Sequence, residues 1–168
     1  MDRPERRLQR LRNYDYTKNG AYFVTICTHK KLCLFGRIEK GIVHLNDAGQ
    51  MVHDRFAEIP RFYPGIETDQ FIVMPNHLHA ILVIEHDRTT QGSVPALALS
   101  GYIQRFKSLT TRLYIESVKN GSYPVFDKRL WQKSYYDRII RHEKEYQMIA
   151  EYIQTNPLRW QEDKYFVR

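Results

Sequence analysis

The sequence predicts an α+β sandwich, in which helices cover one face of a mainly antiparallel sheet. Segments rich in β-branched and aromatic residues alternate with segments of helical spacing, in the order β, β-hairpin, α, β, β, α, β, α. Short turns at residues 39–41 and 75–76 separate neighbouring strand segments. With 168 residues, we expect a single domain over residues 1–168 that begins with a basic N-terminal arm at 1–13.

The first elements are a strand and a hairpin. Residues 21–28 are rich in β-branched and aromatic side chains, which favour a strand. Residues 34–38 and 42–45 flank Glu39-Lys40-Gly41, a sequence that is typical of a hairpin turn. These segments therefore supply the first three predicted strands.

A helix and two further strands follow. Asn46 or Asp47 is the predicted N-cap of the helix. Strands are predicted over 66–74 and 77–84, and the second is almost continuously apolar after its histidines, which indicates a central place in the sheet. The apolar positions of the helix keep helical spacing until Pro60: Ala48, Met51, Val52, Phe56 and Ile59.

The last part of the chain begins with a polar loop over 85–95. A basic amphipathic helix is predicted over about 97–118, and a strand over about 135–140. The final helix is predicted over about 143–155, because Asn156-Pro157 stops it.

Positive charge is concentrated at the two ends of the sequence. The net charge is +7, and residues 1–20, 21–100 and 101–168 contribute +3, −1 and +5. Basic ends suit a polyanionic partner, because neutralised phosphates release condensed counterions. A solvated surface that serves only solubility is the alternative.

The number of cysteines and the length of the apolar segments indicate in which cellular compartment the protein resides. Only Cys27 and Cys33 are present, which is too few for a disulfide framework and favours a reducing compartment. The sequence has no signal peptide and no apolar run of about 18 residues, so we expect a soluble, cytoplasmic protein with no membrane partner.

Basic and aromatic residues alternate near residues 129–136. Aromatic side chains in such a segment can stack on unpaired bases while cations bind phosphates, although aromatic residues are more often part of a core. The candidate DNA-binding residues are Arg105, Lys107, Arg129 and Lys133.

His77-Leu78-His79 is the sharpest local motif. Residues two apart on a strand project from one face, so the two imidazoles lie side by side and form half a metal site. The alternative is a pair of structural histidines. No Cys-x-x-Cys or His-Glu-x-x-His motif supplies further ligands, so a closed zinc site is excluded in favour of an open site that water and substrate oxygens complete.

The final helix carries the second candidate group. Tyr152 and Asn156 lie one turn apart, and their phenol and carboxamide could serve as nucleophile and metal ligand. A half-buried tyrosine and an asparagine that merely ends the helix are the alternative.

Two segments of the sequence resemble a known family. Val73-Met-Pro-Asn-His-Leu-His79-Ala-Ile is similar to the histidine–hydrophobic–histidine (HUH) strand of single-tyrosine transposases. Residues 131–141 and 151–157 resemble the nucleophile region of the same proteins. The resemblance is closest to the REP-associated tyrosine transposases, which are related to small insertion-sequence transposases, and it covers roughly residues 14–160.

The resemblance implies a ferredoxin-like fold and a set of site residues. His77 and His79 would be metal ligands, Tyr152 the nucleophile, and Asn156 the third protein ligand, a position where relatives often carry Gln. The family cuts single-stranded DNA beside hairpins with Mg²⁺ or Mn²⁺, through a 5′-phosphotyrosine that a free 3′-hydroxyl can later attack. A monomer is favoured over a homodimer.

Two other functions compete with this one. A non-catalytic module for single-stranded nucleic acid would explain the charge and the aromatic residues, but it leaves the histidine pair and Tyr152 without a role. A phosphodiesterase that acts through water would need a second histidine motif or acidic ligands, and the remaining histidines form no such motif.

Overall fold

A four-stranded sheet lies at the centre of the molecule, and each pair of neighbouring strands in it is antiparallel. The architecture is that of a computed structural model, which describes residues 19–85 and 97–167. 3-10 segments over His29–Lys31 and Asn156–Glu162 lie beyond the first strand and the last helix. In chain order the helices and strands are β1 (Gly20–Cys27), β2 (Gly36–Glu39), β3 (Ile42–Leu45), α1 (Asp47–Ala57), α2 (Ile59–Phe62), β4 (Ile66–Met74), β5 (His77–Ile84), α3 (Leu99–Lys119), β6 (Tyr136–Ile140) and α4 (Glu143–Thr155).

The strand order is β4-β5-β1-β6, and β2 and β3 form a separate two-stranded ribbon. β5 is central, as its apolar sequence predicts. The α+β class, the mainly antiparallel sheet and the ferredoxin-like arrangement are confirmed.

The placement of the helices differs from the prediction in one respect. Side chains of β5 alternate between two apolar clusters, so that Leu78 and Ala80 belong to the cluster shared with α1 and α3, whereas Ile81 packs with Ile149 and Ile153 of α4. Helices therefore lie on both faces of the sheet, and the expectation of one covered face was wrong for α4. The cause is that β5 is apolar on both faces, and both must be removed from water.

The helix after the hairpin begins as predicted but ends earlier. The side chain of Asn46 accepts a hydrogen bond of 2.8 Å from the Gly49 amide and caps α1. A Cβ atom at Gly49 would lie 2.0 Å from the carbonyl oxygen of Phe35, so only glycine fits there. α1 ends at Ala57, and Pro60 lies in the first turn of α2, where a missing amide hydrogen costs nothing.

Two tight turns hold the strand register. Lys40 and Gly41 both have positive φ, of 50° and 75°, the conformation that a two-residue hairpin turn requires. Pro75-Asn76 joins β4 to β5, and Met74 pairs with His77 across it. Both turns were predicted.

Several expectations lie outside the described residues. The basic arm at 1–13 and all but the first residue of the loop at 85–95 belong to this part of the chain. Within residues 19–85 and 97–167, no helix is both long and apolar enough to cross a bilayer.

Phe56 tests the core beneath α1. Its side chain has no exposed surface, and its ring lies 5.1 Å from the rings of Phe71 and Phe106. We expect Phe56→Ala to lower the free energy of unfolding by about 3–5 kcal/mol, measured by urea denaturation. Phe62→Ala is the matched control, because Phe62 is 59% exposed and its loss should cost less than about 1 kcal/mol. Equal losses would contradict this assignment of the core.

Candidate active site

The two histidines lie side by side on the face of the sheet that α4 covers. On β5, His77 lies opposite Cys27 of β1, and His79 lies opposite Thr25 of β1. The Nε2 atoms of the two rings are 3.0 Å apart, and both side chains are buried. Strand alternation thus brings the predicted pair together.

Hydrogen bonds fix both rings. Nδ1 of His77 donates to Oδ1 of Asn76 at 2.8 Å, because a carboxamide oxygen can only accept. Nε2 of neutral His77 therefore carries a lone pair that points into the site. Nδ1 of His79 lies 2.8 Å from the hydroxyl of Thr25. Such partners orient metal-binding histidines in many proteins.

Electrostatics favour the neutral form of both rings. Burial lowers the pKa of His77 to about 4, although the nearby charge of Asp163 acts in the opposite direction. Burial, followed by the charge of His77, holds the pKa of His79 well below its usual value. Neutral imidazole is the form that binds metal ions, so both side chains are competent ligands at neutral pH.

α4 brings the hydroxyl of Tyr152 to the same point. Its Oη atom is 3.3 Å from Nε2 of His79, and its ring meets Phe23 edge to face. The side chain is 38% exposed, so it is accessible to a ligand. Burial and then the charge of Asp163 raise the pKa of this phenol to about 12, while a hydrogen bond with Asn156 lowers it. The group is neutral at pH 7 and would need assistance to act as a nucleophile.

Asn156 and Asp163 close the site on the side of His77. Nδ2 of Asn156 donates to Oδ2 of Asp163 at 2.7 Å, and this oxygen is 4.0 Å from Nε2 of His77. Ligand atoms of His77, His79 and Asp163 all lie within 4.8 Å of one another. Oδ1 of Asn156 is buried and has no hydrogen-bond partner among the described residues. Asn156 and Asp163 therefore lie beside the histidine pair, and the sequence did not indicate Asp163.

Sequence reasoning missed two residues of the site. Asp163 follows the helix-stopping Pro157 in a segment without periodicity, and no motif in the sequence points to it. Asn76 was assigned only to a turn, yet its Nδ2 donates to the carbonyl oxygens of Lys31 and Tyr165 while its Oδ1 holds His77. Its position directly before the histidine motif is the one signal that could have found it.

The donor atoms suit a divalent ion. The two Nε2 atoms, 3.0 Å apart, are close enough to bind one divalent ion together. Two neutral imidazoles, a carboxylate and an unpartnered carboxamide oxygen form a mixed nitrogen and oxygen donor set. His77, His79, Asp163 and Asn156 would hold such an ion.

The four candidate DNA-binding residues do not form one cluster. Lys107 and Arg129 line the same groove, of about 580 Å³, together with Arg112, Lys119 and Trp131. Nζ of Lys107 donates to the carbonyl oxygens of Gln132 and Ser134. Arg105 lies instead over the ring of Tyr63, and Lys133 is an exposed residue that does not line the groove.

Comparison with known sequences gives two results. Residues 47–156, more than half of the chain, match the family model described as Transposase IS200 like. An uncharacterized protein from Haemophilus influenzae is 39% identical over 170 residues, which cover 96% of this chain and 93% of that protein. The matched family region contains the two histidines, Tyr152 and Asn156 but not Asp163.

Two solved structures have a similar fold. A REP-associated tyrosine transposase bound to a REP hairpin superposes with a TM-score of 0.58 at 23% identity, over 89% of this chain and 73% of that one. A putative transposase from Deinococcus radiodurans R1 superposes with a TM-score of 0.51 at 18% identity, over 86% and 95% of the two chains. At these identities the likeness concerns the fold.

The low pKa values of the histidines predict how stability depends on pH. Unfolded histidine titrates near pH 6.5, so between about pH 6.5 and pH 4 the unfolded chain binds more protons than the folded protein. As the pH is lowered through this window, we expect the free energy of unfolding to decrease, by on the order of 1 kcal/mol per pH unit for each histidine. Urea denaturation with a chelator present measures it.

The control for this prediction is the double variant His77→Gln with His79→Gln. Its free energy of unfolding should depend less on pH between about pH 6.5 and pH 4 than that of the parent. A double variant with the same pH dependence as the parent would show that the histidines are not buried in neutral form.

Proposed function

Because the chain belongs to the IS200-like transposase family, we propose that it cuts and rejoins single-stranded DNA through a covalent intermediate on Tyr152. A divalent metal, Mg²⁺ or Mn²⁺, is held by His77 and His79 in this proposal. The observation that carries it is the convergence of three atoms, since Oη of Tyr152 lies 3.3 Å from the same Nε2 of His79 that is 3.0 Å from Nε2 of His77.

The choice of nucleophile rests on exposure and reach. Tyr152 is 38% exposed, whereas Tyr165, whose ring also lies against the histidines, is only 4% exposed. Tyr146 lies on the same helix, but its hydroxyl donates to Asp69. Among these three tyrosines, only Tyr152 combines an accessible ring with a hydroxyl at the histidine pair.

Asp163 extends the proposed ligand set. The resemblance to the family implies Asn156 as third ligand, and the carboxylate of Asp163 adds a negative charge that a divalent cation would neutralise. Asn156 offers its unpartnered Oδ1 to the ion while its Nδ2 orients Asp163.

The chemistry is a transesterification. A divalent ion held by His77, His79, Asp163 and Asn156 would polarise a non-bridging oxygen of the phosphodiester and favour in-line attack. The phenolic oxygen of Tyr152 forms a bond to phosphorus, loses its proton, and the bond from phosphorus to the 3′ oxygen breaks. The leaving oxygen takes up a proton and becomes a 3′-hydroxyl, so that the 5′-phosphate remains on the tyrosine. The reverse attack by a 3′-hydroxyl rejoins strands.

The substrate and the assembly are part of the same proposal. A protein with this fold was solved with a REP hairpin bound, and we propose that DNA hairpins beside the cut are recognised here too. Arg105, Lys107, Arg129 and Lys133 are the proposed contacts to DNA. We also propose that a monomer is active, because Ile149 and Ile153 of α4 pack on Ile81 of the same chain and carry Tyr152 to its own His79.

Tyr152→Phe is the experiment that decides between an enzyme and a binding module. The variant keeps the ring and its contacts, so it should bind single-stranded hairpin DNA as the parent does but neither cut it nor become attached to it. The parent, given Mg²⁺ or Mn²⁺, should form an adduct that survives denaturation, with the DNA 5′-phosphate on the peptide that contains Tyr152. Tyr146→Phe is the matched control from the same helix and should form the adduct. Cleavage by Tyr152→Phe would disprove this nucleophile.

The ligand set is tested by Mn²⁺ titration followed by electron paramagnetic resonance, without DNA. Asp163→Asn and Asn156→Ala should each weaken Mn²⁺ binding by about tenfold or more, and the double variant His77→Gln with His79→Gln should abolish it. Asp127→Asn is the matched control, because Asp127 is paired with Lys30 on the surface.

Mixing two inactive proteins tests the monomer. A mixture of the histidine double variant and Tyr152→Phe should not cleave DNA if each site uses the tyrosine of its own chain. Restored cleavage would contradict the monomer and support an exchange of α4 between chains.

A further inference from the structure

Two lysines lie beside the histidine pair and face one tyrosine ring. Nζ of Lys31 is 5.6 Å from the centre of the Tyr165 ring, and Nζ of Lys164 is 4.9 Å from it. The ring of Tyr165 lies 4.7 Å from that of His77. Both ammonium groups therefore lie beside a ring that is itself next to the candidate active site.

The two lysines bring two positive charges to this edge of the site. A backbone phosphate would be attracted by both ammonium groups.

Neither lysine is neutralised within the described residues. Nζ of Lys31 donates to the carbonyl oxygen of Lys164 at 2.8 Å, which brings the two residues together without a carboxylate. The neighbouring Lys30 differs, because it forms an ion pair with Asp127. An ammonium group without a counter-ion gains electrostatic stabilisation when an anion binds next to it.

The backbone that presents Lys31 is strained. Lys30 and Lys31 both have φ of 56°, a conformation that residues other than glycine rarely adopt. The carbonyl oxygen of Lys31 accepts a hydrogen bond of 3.1 Å from Asn76, the residue that also holds His77. The strained turn is thus fixed to the histidine motif, and such strain is typical of functional positions.

From this geometry we infer that Lys31 and Lys164 form a phosphate-binding subsite for single-stranded DNA, beside the phosphodiester that Tyr152 attacks. The position relative to the cut rests on the proposed function, whereas the binding of a backbone phosphate does not. Ammonium groups form charge-assisted hydrogen bonds with the non-bridging oxygens of a phosphodiester. The subsite would hold the strand in place while the neighbouring phosphate reacts.

The test is the salt dependence of DNA binding. Binding of a fluorescein-labelled oligothymidylate of about twenty nucleotides is followed by anisotropy between about 50 and 200 mM salt, with a chelator present and in the Tyr152→Phe background. Lys31→Met and Lys164→Met should each weaken binding several-fold and each reduce the slope of log affinity against log salt by about 0.7, the contribution of one single-strand phosphate contact. Lys30→Met removes the same charge one residue away and should leave the slope unchanged.

The remaining variants also test the proposed phosphate subsite. Lys31→Arg keeps the charge and should keep the slope, and a loss equal to that of Lys31→Met would overturn the inference. If Lys31→Met does not fold, Lys164→Met decides alone. Equal slopes for the parent and all three methionine variants would overturn the subsite while leaving adduct formation at Tyr152 untouched. If Lys31→Met and Lys164→Met reduce the slope but the parent protein never forms the adduct, the subsite is supported and the proposed nuclease is disproved.

Discussion

The register between β4 and β5 is the constraint on which the rest of the site depends. Pro75 and Asn76 form a turn so short that Met74 must pair with His77, and this pairing places both histidines on the face that α4 covers. A slip of one residue would turn His77 and His79 into the apolar cluster of α1 and α3. Two imidazoles buried in that cluster without hydrogen-bond partners would destabilise the fold, so the shifted register is disfavoured.

Asn76 connects this register to the rest of the chain. The side-chain oxygen of Asn76 accepts a hydrogen bond from His77, and its side-chain nitrogen donates to the backbone carbonyl oxygens of Lys31 and Tyr165. Segments from both ends of the described chain therefore meet at one turn. The same turn thus fixes the ring of one proposed ligand, the strained lysine turn and the segment that contains Asp163. Stability and the geometry of the site rest on the same hydrogen bonds.

Most of the site could be predicted, because its parts are local patterns. The alternation of a strand brings His77 and His79 together, and the turn of a helix places Tyr152 beside Asn156. The face occupied by α4 could not be predicted, since β5 is apolar on both sides and a period of two does not distinguish them. Asp163 was beyond reach for a different reason, because its contact with His77 joins residues far apart in the sequence and depends on the path of an aperiodic segment.

The contact between Asp163 and the β5 histidines also bears on how the protein is made. His77 and His79 leave the ribosome before Tyr152, Asn156 and Asp163 do. The sheet cannot add β6, nor can the donor set close, until the segments that contain β6 and Asp163 have been synthesised. A nascent or prematurely terminated chain would therefore carry the histidines without the groups that complete them. The proposed cleavage of DNA would therefore begin only after the chain that carries α4 and Asp163 has been made.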